Sequence, residues 1–152
     1  MQIIEKETGF QLHKPSAAAI GKFDGIHRGH QSLLRHVLEQ KDKGLQAVVF
    51  TFDPSPAVLF TGTGLPELTT KQEKRKLFAE LGIDVLIEFP LTYESAAMPA
   101  ERFIEEVLAK RMKAAYIAAG GDLSFGKDGK GDTALLREYA GRCGYRTDII
   151  EK

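Results

Sequence analysis

Short apolar runs alternate along this chain with stretches in which apolar residues recur every three or four positions. The runs predict strands that are covered on both faces, because such strands read as continuous rather than alternating hydrophobic segments. Five strands are predicted: Ala17–Ile20, Ala47–Phe52, Val85–Phe89, Tyr116–Ala119 and Tyr145–Ile150. The polar stretch 1–14 before them is assigned no element.

The stretches with helical spacing lie between the predicted strands. Four helices are predicted: one at Gln31–Lys43, one that begins at Thr70, one that follows Pro99 and one capped by Asp132 or Thr133. The start at Thr70 is the best defined, because Glu73 three residues later completes a capping box. Gly82 is predicted to end that helix, since glycine is common just past a helix C-terminus.

Strands that alternate with helices of this length predict βαβ units around a parallel sheet. The fold class is therefore α/β, a single domain over 1–152 on a Rossmann-like, doubly wound parallel sheet of about five strands. Ligands of such sheets bind beyond the carboxyl ends of the strands. The candidate site is therefore predicted in the loops Gly21–His30, Asp53–Pro56 and Gly120–Asp132.

The loop after the first predicted strand carries the strongest functional pattern. Gly25 and Gly29 let a ligand approach the backbone, and the start of the following helix attracts phosphate. His27 and His30 are three residues apart, which puts both imidazoles on one side of a helix start. Such a pair is suited to stabilising charge during transfer at phosphorus. A metal site is the weaker interpretation, because two ligands lack a nearby third.

The same loop, from Gly21 to His30, resembles the His-x-Gly-His motif of the nucleotidyltransferase superfamily. Its Phe23-Asp24-Gly25 centre resembles the form found in bacterial bifunctional riboflavin kinase/FAD synthetases. Three later segments resemble that family in the same order: Thr51–Pro56, Leu68–Arg75 and Gly121–Asp132. The chain departs from the family pattern at Ser55, where histidine is common, and at Leu123, where phenylalanine is usual.

The resemblance implies an FMN adenylyltransferase: FMN and ATP give FAD and pyrophosphate by direct in-line transfer, with Mg²⁺ on the triphosphate. It assigns the catalytic role to His27 and His30. It assigns ATP binding to Gly21, Phe23, Asp24, Gly25 and Gly29. It assigns the flavin side to Asp53, Pro54, Asp122 and Phe125. The ATP phosphates rather than the protein are expected to hold Mg²⁺, with Asp122 as the one candidate protein ligand.

Two alternatives stay open beside FMN adenylyl transfer. One is the same chemistry on another phosphorylated acceptor, such as nicotinamide mononucleotide, phosphopantetheine or glycerol phosphate. The other is a nucleotide- or flavin-binding module with little turnover, because these residues contain neither the family's SST-x-[IV]R segment nor its riboflavin kinase domain. We expect the sequence to be a fragment of a longer chain that carries that kinase domain.

A P-loop is a further phosphate-binding pattern that the sequence nearly contains. Gly121, Gly126 and Lys127 stand at the right spacing, but Asp128 occupies the position of the hydroxyl that binds Mg²⁺. A P-loop also continues directly into its helix, whereas Gly129 and Gly131 follow here. A P-loop NTPase is therefore not predicted.

Composition excludes other classes of protein. Basic and acidic residues number 21 each, so the chain lacks the basic footprint of a nucleic-acid-binding protein. No apolar run approaches the ~20 residues that span a bilayer, and Met1–Lys14 lacks the apolar core of a signal peptide. We therefore expect a cytoplasmic protein with small-molecule substrates, and we interpret its one cysteine, Cys143, as a packed core thiol.

Overall fold

A computed structural model of the chain describes residues 1–23, 28–62 and 70–151. Six strands lie in one sheet: β1 (Gln2–Glu5), β2 (Ser16–Ile20), β3 (Gln46–Asp53), β4 (Val85–Pro90), β5 (Ala114–Gly120) and β6 (Arg146–Ile150). The α-helices are α1 (Arg28–Glu39), α2 (Pro56–Thr61), α3 (Lys71–Leu81), α4 (Tyr93–Ala96), α5 (Ala100–Arg102) and α6 (Thr133–Cys143). A π-helical stretch, Phe103–Arg111, continues α5, and short 3₁₀ turns cover Gln40–Lys43 and Lys127–Gly129.

All the strands are parallel, in the order β1-β4-β3-β2-β5-β6. From β2 the chain moves outward through β3 to β4 on one side, and then crosses to β5 and β6 on the other. The direction of winding therefore reverses between β2 and β5, which is where ligands of doubly wound sheets bind. The predicted fold class is confirmed, with six strands instead of about five.

The additional strand is β1, at the edge of the sheet beside β4. Its register pairs Gln2 with Val85 and Ile4 with Ile87. Only Ile4 of its four residues is buried, so the stretch has too few apolar positions to show a strand pattern. Long-range pairing with β4, which no local pattern encodes, makes it a strand.

The central strands are apolar throughout because helices cover both faces of the sheet. One face of the sheet packs against the π-helical stretch and α6, through Ile104, Val107, Leu108 and Leu136. The other face packs against α1 and α3, through Leu33, Leu34, Val37 and Phe78. The two layers fix the helices and leave the carboxyl edge of the sheet to the loops.

Helix ends follow the local chemistry that the sequence predicts. Thr70 and Glu73 form the capping box of α3: the Glu73 N–H donates to Thr70 Oγ1 at 3.1 Å, and the Thr70 N–H donates to Glu73 Oε1 at 3.3 Å. Gly82 ends that helix in the left-handed region, at φ +98°. At α6 the structure selects Asp132 as the cap, since its carboxylate accepts the Leu135 N–H at 2.9 Å.

Candidate active site

A cavity of about 450 Å³ lies at the carboxyl edge of the sheet, where the winding reverses. We call it the polar cavity, because half a dozen polar side chains reach it among apolar ones: Lys22, His30, Thr51, Ser55, Asp122 and Ser124. The loops after β2, β3 and β5 supply this lining together with the strand ends and helix starts beside them. These are the three loops in which the sequence predicts the site.

Phe23 supports the first loop from behind rather than lining the polar cavity. Its side chain is fully buried, its φ is +54°, and its ring lies 5.2 Å from that of His30 and 5.7 Å from that of Phe78. A Cβ on Gly21 would stand 3.2 Å from the Phe23 ring. Gly21 therefore leaves room for a ring that packs against the imidazole, and both Gly21 and His30 line the cavity.

His30 lies in the first turn of α1, where free backbone N–H groups and the positive end of the helix dipole favour an anion. Gly29 belongs to the same turn. His27, Asp24 and Gly25 lie outside the described residues, so their assigned roles stay predictions. The structure thus places one of the two predicted catalytic imidazoles in the polar cavity, at a helix start suited to phosphate.

The loop after β5 approaches the polar cavity from the opposite side. Asp122 lines the cavity, and its Oδ1 lies 3.1 Å from where a Cβ on Gly120 would stand. A Cβ on Gly121 would lie 2.9 Å from the Glu151 carboxylate. The two glycines therefore let carboxylate side chains fold tightly over the loop backbone, one of them at the cavity.

A second cavity of about 520 Å³ adjoins the first. We call it the aromatic cavity, because six aromatic rings line it: Phe52, Phe60, Phe89, Tyr93, Phe103 and Phe125. Phe52, Pro56 and Ser124 line both cavities, so these residues form a shared wall. Two spaces of similar size thus lie side by side at one edge of the sheet, one with more polar side chains in its lining and the other with more aromatic rings.

The rings at the bottom and at the mouth of the aromatic cavity differ in exposure. Phe125 is 4% exposed, and its ring centroid lies 5.5 Å from that of Phe103. Phe60 on α2 and Tyr93 on α4 are 59% and 68% exposed, with centroids 5.9 Å apart. The Tyr93 hydroxyl donates to the Leu59 carbonyl at 3.2 Å. The mouth is therefore an exposed aromatic pair that joins two short helices.

Sequence reasoning finds Phe125 but misses most of this cavity, because α2 and α4 are not predicted. Signals for both helices are present. Ser55 caps α2 by accepting the Val58 N–H at 3.4 Å, and Pro56 stands at the first helical position, where proline is favoured. At α4, Thr92 accepts the Ser95 N–H at 3.1 Å. The sequence predicts Pro56 to lie in the Asp53–Pro56 loop, whereas in the structure it is the first residue of α2.

The loop after Phe125 closes one side of the aromatic cavity. Gly126 has φ +78°, and a Cβ there would stand 2.6 Å from the Ala100 Cα. The Lys127 N–H donates to the Met98 carbonyl at 2.9 Å. Lys127–Gly129 forms a separate 3₁₀ turn and α6 begins only after Asp132. The segment that nearly matches a P-loop therefore does not continue directly into α6, and this agrees with the prediction from the sequence.

The Asp53 side chain points to α3. Lys71 Nζ donates to Asp53 Oδ2 at 2.6 Å, and this hydrogen bond raises the pKa of Lys71 above its ordinary value. Asp53 and Pro54, which are joined by a cis peptide bond, are not among the residues found to line the two cavities in the described ranges. Their chain neighbours Ser55 and Pro56 are.

A buried carboxylate that the sequence reasoning missed anchors α3 to the sheet. The Glu88 side chain is 6% exposed, and Arg75 binds it twice, through Nη2 at 2.5 Å and Nε at 3.1 Å. Arg75 Nη2 also donates to Glu5 at 2.6 Å. These hydrogen bonds, first those with Glu88, raise the pKa of Arg75. A charge this buried requires such a partner, so the pair fixes where α3 lies.

The described ranges contain no candidate metal-binding cluster and no candidate membrane-spanning helix. Within 1–23, 28–62 and 70–151, no three His, Cys, Asp or Glu side chains are grouped so as to hold a metal ion. Among the helices of those ranges, none is long and apolar enough to cross a membrane.

The sequence was compared with known families and proteins. It matches the model of the FAD synthetase family over residues 10–152. It is similar to a bifunctional riboflavin kinase/FMN adenylyltransferase of Escherichia coli (strain K12), at 35% identity over 128 residues, which are 83% of this chain and 41% of that one. A relative from Geobacillus thermodenitrificans (strain NG80-2), named for the same two activities, is 37% identical over 140 residues, 91% of this chain and 75% of its own length.

The fold has a solved counterpart. A crystal structure described as a macrolide-efflux protein from Streptococcus pneumoniae matches with a TM-score of 0.82 and 26% identity, over 99% of this chain and 50% of that one. This chain therefore spans half or less of that protein and of the Escherichia coli relative.

Proposed function

The chain belongs to the FAD synthetase family, and we propose that its site transfers the adenylyl group of ATP to FMN, giving FAD and pyrophosphate. The observation that carries this proposal is the pair of adjoining cavities at the carboxyl edge of the sheet. FMN and ATP together need one space for a planar apolar ring and another for charged phosphates. The aromatic and polar cavities offer these two environments, with a shared wall between them.

In the proposed reaction an oxygen of the FMN phosphate attacks the α-phosphorus of ATP. A phosphorus–oxygen bond forms to FMN while the bond from the α-phosphorus to the bridging oxygen breaks, and pyrophosphate leaves with that electron pair. His30, and His27 beside it in the sequence, would hold the phosphates and offset the developing negative charge. Little covalent chemistry remains for the protein, so catalysis rests on positioning and electrostatics.

The remaining ATP assignments follow the loop after β2. Gly21 lines the polar cavity and Gly29 lies in the first turn of α1, and both would keep the backbone open to the nucleotide. The Phe23 ring packs against that of His30. Asp24 and Gly25 complete the loop as sequence predictions. Mg²⁺, when bound, would neutralise triphosphate charge. A single cavity carboxylate suits this ion, because Mg²⁺ keeps several waters and binds through few protein ligands. Asp122 is that carboxylate among the described residues.

On the flavin side, Phe125 would form the bottom of the ring pocket, since it lies buried at the aromatic cavity. Asp53 and Pro54 would act from outside the lining, through Ser55 and Pro56, which follow them in the chain. Asp122 would face the point where the two substrates meet.

We further propose that residues 1–152 form the nucleotidyltransferase part of a longer protein. The relatives are named for a riboflavin kinase as well as an FMN adenylyltransferase, and the Escherichia coli relative extends over more than twice the matched length. A riboflavin kinase domain is therefore the expected covalent partner of this domain.

The test is to incubate the purified chain with FMN, ATP and Mg²⁺, and to follow FAD by chromatography and pyrophosphate in parallel. Riboflavin, nicotinamide mononucleotide and phosphopantetheine serve as control acceptors. FAD and pyrophosphate in equal amounts from FMN alone is the expected result. Pyrophosphate from another acceptor but not from FMN would reassign the substrate. FMN binding without FAD would indicate a binding module, and neither binding nor turnover would overturn the proposal.

A further inference from the structure

We infer that Lys71 and Asp53 are positioning residues for the flavin half of the site, because their ion pair joins the two ends of the stretch that carries α2 and, with it, Pro56 of the shared wall. Asp53 ends β3, Lys71 begins α3, and the stretch between them carries α2. This inference rests on the proposed function and adds to it Lys71, together with a positioning role for Asp53; neither residue is among those found to line the cavities.

The position of Lys71 is set independently of the pair. It lies in the first turn of α3, directly after the capping box of Thr70 and Glu73. Arg75, one turn further, binds the buried Glu88 of β4. The start of α3 is thus held by its cap and by a buried ion pair, so the Lys71 ammonium is a fixed point for Asp53.

The position of α2 depends on the chain that leads into it. Asp53 accepts the Leu91 N–H at 3.1 Å through its backbone carbonyl and binds Lys71 through its side chain. Two residues later Ser55 caps α2, and Pro56 and Phe60 then line the aromatic cavity. Loss of the Lys71 contact would leave Asp53 held through its backbone alone, and would thereby loosen the start of α2.

The exposure of the Lys71 and Asp53 side chains distinguishes a positioning role from a contribution to the overall stability of the fold. The side chains of Lys71 and Asp53 are 43% and 42% exposed, and ion pairs at such sites add little to the global stability of a fold. The charge of Glu88 also raises the pKa of Lys71, and the charge of Arg75 lowers it. Loss of the pair should therefore change the placement of α2 and leave the folded core intact.

A rival explanation is that Asp53 contacts the flavin itself and Lys71 only neutralises it. Exchanging the two charges separates the explanations. Asp53→Lys combined with Lys71→Asp restores the ion pair with reversed polarity, so it restores a positioning role. A carboxylate that binds the ligand directly would stay lost in the same double variant.

The experiment measures FAD formation and FMN fluorescence quenching with the full chain and its variants. Lys71→Met is expected to raise the KM and the Kd for FMN about five-fold, the effect of a pair of this kind on a local equilibrium. The kcat, the KM for ATP and the thermal midpoint should stay near wild type. Lys71→Arg and the charge exchange should recover FMN affinity. Lys76→Met, which removes an exposed α3 pair with Glu80, is the matched control.

The outcomes distinguish a failure of the proposed function from a failure of this inference. A wild-type chain that neither makes FAD nor binds FMN overturns the proposed function and this inference with it. Wild-type turnover with an unchanged FMN affinity in Lys71→Met overturns the inference alone. A charge exchange that stays as weak as Lys71→Met, or a Lys71→Met variant whose thermal midpoint falls in step with its affinity, also overturns it.

Discussion

The two cavities at the carboxyl edge are alike in size and differ in lining, the first being the more polar and the second the more aromatic. The polar cavity is reached by His30 and Asp122, from the loops on either side of the point where the winding reverses. In the aromatic cavity, α2, α4 and the loop after β5 enclose rings that come from β3, β4 and the π-helical stretch. The polar cavity follows from the sheet topology, whereas the aromatic cavity also depends on the helices that follow β3 and β4. The difference indicates that charge stabilisation and flavin selection are separable.

The histidine pair offers the largest test of this separation. His27→Ala combined with His30→Ala should lower kcat by about 10³-fold or more, since removing one preorganised donor already costs roughly 10²–10³-fold. FMN binding by fluorescence should stay near wild type, because the aromatic cavity is untouched.

His36→Ala is the matched control for that double variant. His36 lies on the same helix and its Nδ1 is 2.7 Å from the Ser32 carbonyl, away from both cavities. Retained turnover in the His27/His30 variant, or an equal loss in the His36 variant, would contradict the catalytic assignment.

Gly126→Ala addresses the scaffold of the aromatic cavity. The residue has φ +78° and its Cβ would stand 2.6 Å from the Ala100 Cα, so we expect unfolding free energy to fall by about 2 kcal/mol from strain and displacement. The KM for FMN should rise more than the KM for ATP. Gly141→Ala in α6, where a Cβ meets nothing within 4 Å, should instead leave stability unchanged or slightly raised. Equal behaviour of the two variants in denaturant unfolding would refute the account of this loop.

Phe60→Ala tests the mouth of the same cavity without disturbing the core. Phe60 is 59% exposed, so the thermal midpoint should stay constant. Loss of an aromatic contact worth about 1 kcal/mol should raise the KM for FMN roughly five-fold and leave ATP unaffected. Val58→Ala, on α2 and 42% exposed but not found in either lining, is the control. A rise in the ATP KM would show that the cavities do not divide the substrates.

Alkylation of Cys143 should have the smallest effect on the two cavities, because Cys143 is not among the residues found to line them. Burial, and then the charge of Glu105, raise the pKa of its thiol in the folded chain. The folded protein therefore carries less thiolate at pH 8 than the unfolded chain, and alkylation by iodoacetamide should be slower in buffer than in urea. Mass spectrometry of timed samples measures both rates. Faster labelling of the folded form would contradict the interpretation as a packed thiol.

Features with a local cause could be predicted from the sequence. Helix α3 is the clearest example, because Thr70, Glu73 and Gly82 encode its two ends within one short segment. The central strands were equally predictable, since burial on both faces leaves them apolar throughout. The loop motif also led to His30 directly.

Features with a distant cause could not be predicted. Strand β1 depends on its pairing with β4, and the Glu88 carboxylate is buried only because Arg75 reaches it from α3. The aromatic cavity collects rings from segments separated by dozens of residues, so no single window of sequence displays it. Asp53 was assigned to the flavin side from its motif, and only the structure reveals that its side chain meets Lys71.

The central claim is that the two cavities hold two ligands at once. It is tested most directly by titrating FMN into the protein at increasing concentrations of α,β-methylene-ATP, an analogue that cannot release pyrophosphate, and following flavin fluorescence. The account predicts that the Kd for FMN stays constant or falls as the analogue saturates the polar cavity. A Kd for FMN that rises in proportion to the analogue would mean that both ligands compete for one space, and would contradict the claim.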